Sequence, residues 1–482
     1  MVNKGGFEGY YGGGEGLMAV RIERDTLGTM EVPSDALYGA QTARALSNFT
    51  ISGLKPFPSF VRATLRIKKC AALANMATGR LDRHLGNAIV AAADEALSGQ
   101  HDNQFVVDPF QAGAGTSHNM NVNEVLANRC DELLGSERGS GRVNANDHVN
   151  MAQSTNDVIP TAIRLASLEQ LDKLTRELGQ LRDALARKGE EFDGILKSGR
   201  THLQDAVPIR LGQEFAAHAA AVSRAIRGLD SCRADLCELG IGGTAVGTGL
   251  NAEESYIDLV VAELARETGR ELFRAKDLVE TTFNMDPFVA LSGALRRVAV
   301  LLVKLSGDLR LLASGPRTGL DEITLPAVQP GSSIMPGKVN PVMAEMISMV
   351  GFQVMGCDVT VVLAAQAGQL QLNVMMPVIA FNLLFALEVL TNGVERLTTL
   401  SIDGISANEA RCRRYLDESL GMVTIFAPYL GYAAAAEVAK ESAKSGRSIR
   451  EIILEQGHLS EEEITAILNP YPLTSPGVPG RT

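Results

Sequence analysis

Apolar residues recur at spacings of three and four along most of the chain, the period of a helix buried on one face. The clearest run extends from about Asp157 to Leu196, with Leu168, Leu171, Leu174, Leu178, Leu181 and Leu185 on one stripe. A helix of ~40 residues would be about 60 Å long, well beyond ordinary globular length. Pro160 falls in its expected first turn, where a missing N–H is tolerated. Gly212–Leu236 is Ala-rich and helical in pattern. Asp286-Pro287 has the form of an N-cap followed by proline and opens a helix to about Ser314. Asn340-Pro341 repeats that form and opens one to about Ala367, and Pro377 opens a fifth to about Leu400. Long helices joined by loops predict an elongated antiparallel bundle. Several are apolar nearly all round and must be buried on several sides. One thin bundle cannot do that, so several chains are expected to pack their bundles together.

The flanks are less regular. Arg21–Asp25 and Met30–Val32 around Thr26-Leu27-Gly28 read as a short hairpin. A helical pattern runs from Ser59, placed as an N-cap, to about Leu81. Residues 100–125 and 135–156 are rich in Gly, Asn, Asp and Ser and read as long loops, which are often functional. Residues 1–18 read as a flexible Gly-rich tail, with Met18 an alternative start, and contain no apolar signal core. Beyond 410 the pattern returns to short helices. The predicted class is all-α, mainly, with divisions at 1–155, 156–410 and 411–482.

Composition narrows the function. Of 482 residues, 45% are apolar and 21% charged, which argues against a disordered chain. The net charge of −11 lacks the basic footprint of a nucleic-acid binder. The six cysteines form no CxxC pair and no Cys/His ligand spacing, as expected of free thiols in a reducing compartment, the cytoplasm, without a metal site. Val359–Leu387 carries no charge, but Gln366, Gly368, Gln369, Gln371, Asn373 and Pro377 interrupt it. Two buried helices around a turn fit better than a membrane span.

Gly331–Pro341 holds the most informative chemistry. It fails as a P-loop: five residues rather than four separate Gly331 from Gly337-Lys338, Val339 follows the lysine, and Pro336 lacks an N–H. Read otherwise, Gly331 and Gly337 are hinges, Ser332 and Ser333 sit at the tip, and Lys338 and a helix N-terminus attract a carboxylate. A plain surface connector is the alternative. Gly247–Ala252 matches GxGxxA but follows helical sequence, which leaves a structural turn or a small-substrate loop. Ser154-Thr155-Asn156-Asp157 can cap the long helix or hold an anion. His202, between Thr201 and Leu203, can be structural or catalytic, and Glu345 is its candidate partner. Gly113–Ser117 reads as a turn or a site loop.

Together these segments resemble the aspartase/fumarase superfamily. GSSIMPGKVNP at 331–341 is similar to its signature; GAGTSHNMNVNEVLANR at 113–129, NDHVNMAQSTND at 146–157, GRTHLQDAVPIRLGQEF at 199–215 and AVGTGLN at 245–251 resemble its other blocks. The similarity runs from about Arg21 to Gly477. STND, NDHVN, LQDAVP and the tail ILNPYPLTSPG look like the aspartase branch rather than class II fumarate hydratase. Met376 departs from that branch, which usually has Glu there, and leaves open a sister lyase acting on a modified aspartate. The resemblance implies a central helical bundle between smaller N- and C-terminal domains. It implies a homotetramer whose sites draw on three chains, with no cofactor, metal, nucleic acid or membrane. It implies cleavage of L-aspartate to fumarate and ammonia. Ser332 would be the base, activated as an alkoxide. Thr116, Ser154, Thr155 and Ser333, with Ser117 beside them, would hold the β-carboxylate. Lys338 and Asn340 would hold the α-carboxylate, with Thr201 nearby. Asn156 and His202 would surround the amino group, and Glu345 would partner the histidine. A non-catalytic scaffold would need none of Ser332, Lys338, Asn340 or His202.

Overall fold

The computed structural model describes residues 19–479. The chain is mainly helical, and its strands form only two-stranded pairs among the described residues. It divides into two compact units, each built from three separate stretches.

The first unit comprises residues 19–166, 236–285 and 363–381. The expected hairpin is present. Val20–Asp25 pairs antiparallel with Gly28–Pro33, and the Asp25 carboxylate accepts the Leu27 N–H to close a two-residue turn. Helices Pro58–Ala77, Arg83–Leu97 and Thr116–Leu133 pack around Leu65, Ile89, Val122, Val125 and Leu126, all fully buried. Two expectations fail here. Ser59 is not a cap: Pro58 occupies the first helical position, Phe57 precedes it, and Ser59 is buried inside the helix. Residues 116–125 are not loop. They open the Thr116–Leu133 helix, whose polar side chains point inward and are bonded there. Asn121, for example, donates to the Gln104 carbonyl and accepts the Val106 N–H. Buried, partnered asparagines look like loop residues when only polarity is read.

The long helix spans Thr155–Glu191, 37 residues or about 55 Å. It starts earlier than expected, so Pro160 lies in its second turn and leaves the Asn156 carbonyl without its helical N–H donor. The second unit takes over at residue 167 and comprises 167–235, 286–362 and 382–479. The helices Leu211–Asp230 and Asp286–Leu312 pack together. The short C-terminal helices close over a separate core of Ile425, Phe426, Val438, Ile452, Ile453 and Ile464.

Between the long helix and Leu211 lies an antiparallel hairpin, Leu196–Thr201 with Gln204–Arg210, where helix-to-helix loop was expected. An ion network anchors it. Glu322, fully buried, bonds Lys197 at 2.8 Å and Arg200 at 2.8 Å, and Lys197 also meets Glu214.

The uncharged stretch is two helices, Val342–Gln366 and Met376–Leu400, around a turn. Both are long and apolar enough to cross a membrane. The second buries Ile379, Leu383, Leu387, Leu390, Val394 and Leu397 within the molecule, as a core helix does. The first exposes Met349, Phe352, Val359 and Val362 on one stripe.

Candidate active site

The candidate residues divide between the two units: Thr116, Ser117, Ser154, Thr155 and Asn156 in the first, and Thr201, His202, Ser332, Ser333, Lys338, Asn340 and Glu345 in the second. In the first unit a cleft of about 490 Å³ is lined by Thr116, Asn119, Asn150, Gln153, Ser154, Thr155, Thr244 and Asn251, among others. Thr116 begins its helix after a tight turn in which Gly115 has φ +92°; a Cβ there would press on Ile159 at 3.0 Å, so the approach requires glycine. Ser117 lies buried in the first helical turn.

Ser154 does cap the long helix: its Oγ accepts the Asn156 N–H at 3.2 Å, while its own N–H donates to Asp157 at 2.9 Å. Asn156 is committed to the Ala245 carbonyl at 2.8 Å. Thr155 Oγ1 accepts from Asn119 Nδ2 at 3.0 Å.

Below the cleft lie charged groups that sequence reasoning missed. Asp157 is buried, and its two oxygens accept N–H bonds from Ser154, Gly242 and Thr244. Burial nevertheless pushes its carboxyl up to about 6. Lys68 is also fully buried, and its ammonium donates to Asn150 Oδ1 and Gln153 Oε1, each at 2.9 Å. Burial lowers it to about 7, against the attraction of Asp157. His118 is held down at about 3 by burial and by Lys68; it bonds Thr64 and stacks on Phe60, a structural placement. The available signal for Lys68 was its position on the apolar face of its helix, in step with Val61, Leu65 and Ala72.

In the second unit, Ser332 lies on a loop closed at its neck. Gly331 donates its N–H to the Lys338 carbonyl at 2.8 Å, and Asn340 Nδ2 donates to the Gly331 carbonyl at 2.7 Å. A Cβ on Gly331 would lie 2.5 Å from the Lys338 oxygen, so this glycine is a close-packed neck rather than the expected hinge. Asn340 closes the loop instead of capping the helix, which begins at Val342. Ser332 Oγ accepts the N–H groups of Ile334 at 3.2 Å and Met335 at 3.0 Å. Ser333 and Lys338 are exposed; among the described residues the Lys338 ammonium has no hydrogen-bond or ion-pair partner.

Thr201 and His202 stand at the hairpin tip, where His202 and Leu203 both have positive φ, 54° and 59°. Among the described residues no hydrogen bond or ion pair joins His202 to Glu345, which lies in the first turn of the Val342–Gln366 helix. Met376 is fully buried. The 245–251 segment is a turn that lines the cleft and precedes the helix Glu254–Thr268. Among the described residues no group of three or more His, Cys, Asp or Glu could hold a metal ion.

Comparison with known proteins agrees with this architecture. Residues 28–356 match a family described as lyase, and residues 422–475 match the fumarase C C-terminus. An aspartate ammonia-lyase from a Bacillus species is 49% identical over 463 residues, covering 96% of this chain and 99% of its own. The aspartate ammonia-lyase of Escherichia coli strain K12 is 48% identical over 461 residues, with 95% and 96% covered. A crystal structure of fumarate lyase:delta crystallin from Brucella melitensis, bound to cobalt, has a TM-score of 0.92 at 47% identity, covering 95% of this chain and 100% of that one. Fold and sequence together define a lyase, and the chain belongs to the aspartase/fumarase superfamily. The relatives that share nearly half its residues over almost its whole length carry the name aspartate ammonia-lyase.

Asp157 yields a prediction. An amide in its place sets N–H against at least one of its three backbone donors, so Asp157→Asn costs about 1–3 kcal/mol in urea unfolding. A carboxyl raised from 3.8 to about 6 in the fold binds a proton more tightly there than when unfolded. Its contribution is therefore full below pH ~4 and is lost as pH rises through ~6. The stability gap between wild type and Asp157→Asn should narrow over that window; a gap that widens would contradict the assignment.

Proposed function

We propose that the chain is an aspartate ammonia-lyase, converting L-aspartate reversibly to fumarate and ammonia. The observation that carries this reading is the Ser332 hydroxyl, which receives two backbone N–H donors on a loop pinned at its neck. Donors aimed at one oxygen favour its anionic form, the state in which a serine can take a proton from carbon. The relatives' shared name supports an amine, rather than water, as the leaving group.

In this reading the Ser332 alkoxide removes a proton from the β carbon. The C–H electron pair moves into the β-carboxylate, which becomes a dianionic aci-carboxylate. That charge is the main barrier, and preorganised donors lower it. Thr116, Ser117, Ser154, Thr155 and Ser333 are the groups to hold it. Lys338, Asn340 and Thr201 hold the α-carboxylate. The pair then returns to form the C=C bond, the Cα–N bond breaks, and ammonia departs past Asn156 and His202. Glu345 serves as the histidine's partner, contributed by another chain. The division into residues 1–155, 156–410 and 411–482 fits these roles, with the base loop in the middle part.

We further propose a cytoplasmic homotetramer with each site drawn from three chains. The exposed stripe of Met349, Phe352, Val359 and Val362 supports this, because apolar side chains at helical spacing on a surface mark a packing face. All six cysteines are free, which suits a reducing compartment.

Ser332→Ala should lower fumarate formation from L-aspartate by roughly a thousandfold or more while leaving the oligomer's mass unchanged. A rate near wild type would remove Ser332 from the role of base. Phe352→Asp places a charge in the proposed packing face and should convert the tetramer into smaller species by light scattering, with activity falling in step. An intact tetramer would put the interface elsewhere.

A further inference from the structure

A lysine with no exposed surface is rare, and a packing role does not require its charge. We propose that Lys68 is a positioning residue whose ammonium sets the direction of the hydrogen bonds beneath the cleft, so that the Thr155 hydroxyl must donate to a bound carboxylate. The argument follows donors and acceptors. An ammonium donates and never accepts. Asn150 and Gln153 must therefore turn their amide oxygens toward Lys68, both at 2.9 Å. Their amide nitrogens face away, onto the backbone carbonyls of Gln153 and of Val149 and Met151. The oriented Asn150 oxygen also accepts from Asn119 Nδ2 at 3.3 Å. That same nitrogen donates to Thr155 Oγ1 at 3.0 Å. Thr155 Oγ1 is then an acceptor on the protein side, and its own proton is left for the cleft that Thr155 lines.

Without the ammonium, Asn150 keeps its orientation through the Gln153 carbonyl and Asn123 Nδ2, but its oxygen loses its charged donor and binds Asn119 less firmly, so Asn119 can reverse. Thr155 would then donate to Asn119 Oδ1 and present only lone pairs to an incoming carboxylate. Lys68 touches no ligand in this account; it acts through two amides, Asn150 and Asn119, and one hydroxyl. The inference rests on the dicarboxylate reading of the cleft given above.

The test is a double-mutant cycle on fumarate formation from L-aspartate. Lys68→Met keeps volume and removes every donor. It should lower kcat/KM roughly 10- to 100-fold, the size expected when a buried hydrogen-bond partner is lost, with KM carrying most of the change. Thr155→Val should give a comparable loss, and the double variant should lose no more than Thr155→Val alone. Losses that multiply would overturn the proposal. Succinate, an unreactive dicarboxylate, separates the two readings. If the wild type does not bind it, the dicarboxylate reading falls and this one with it. If the wild type binds it and the losses multiply, only the role of Lys68 falls. If Lys68→Met does not fold, Lys68→Ala is assayed with ethylammonium. Recovery of about tenfold or more that ethanol does not produce supports a requirement for the charge, since packing alone responds equally to both. Equal responses overturn it.

Discussion

A buried carboxylate holds the first site cluster together. Asp157 accepts three backbone N–H groups, one from the start of the long helix and two from the 242–244 turn. Those two segments bring Ser154, Thr155, Thr244 and Asn251 to the same cleft. The arrangement is costly, because burial disfavours the ionised carboxyl. The three donors and the nearby Lys68 ammonium offset part of that cost. A site for a small anion needs its donors fixed before the ligand arrives, since the ligand is too small to organise them by contact area.

The His202 hairpin and the Ser332 loop depend on a comparable device. Glu322 has no exposed surface and is met by Lys197 and Arg200, both on the strand that leads to Thr201 and His202. Its backbone carbonyl accepts the Asn408 N–H at 2.9 Å. The chain then runs directly from Glu322 into the Ser332 loop. One buried charge thus ties the root of the histidine hairpin to the root of the serine loop. Breaking such a network leaves an unpaired charge indoors, which is far worse than never having built it.

Much of this was legible in the sequence, for identifiable reasons. The leucine stripe from Leu168 to Leu185 predicted the long helix because its period admits no other structure. Asp286-Pro287 opens a helix as expected, although Asp286 is its first residue rather than the cap before it. The site residues were legible as motifs, but not as geometry. The helix at 116–133 resembles loop in the sequence because Asn119, Asn121 and Asn123 are polar yet buried. The 196–210 hairpin was missed because its turn places His202 and Leu203, not glycine, at positive φ. Lys68 is indistinguishable in the sequence from Lys69, which is only partly buried and has Asp94 and Glu267 for partners. Identical side chains in adjacent positions differ in role because one helix face is buried and the other is not.

The most direct measurement is fumarate formation by ultraviolet absorbance, with L-aspartate and L-malate supplied in parallel to the same preparation. The account predicts rapid fumarate production from L-aspartate and none above background from L-malate. Production from L-malate alone would contradict it, and would assign the Ser332 loop and the Thr155 cleft to the elimination of water.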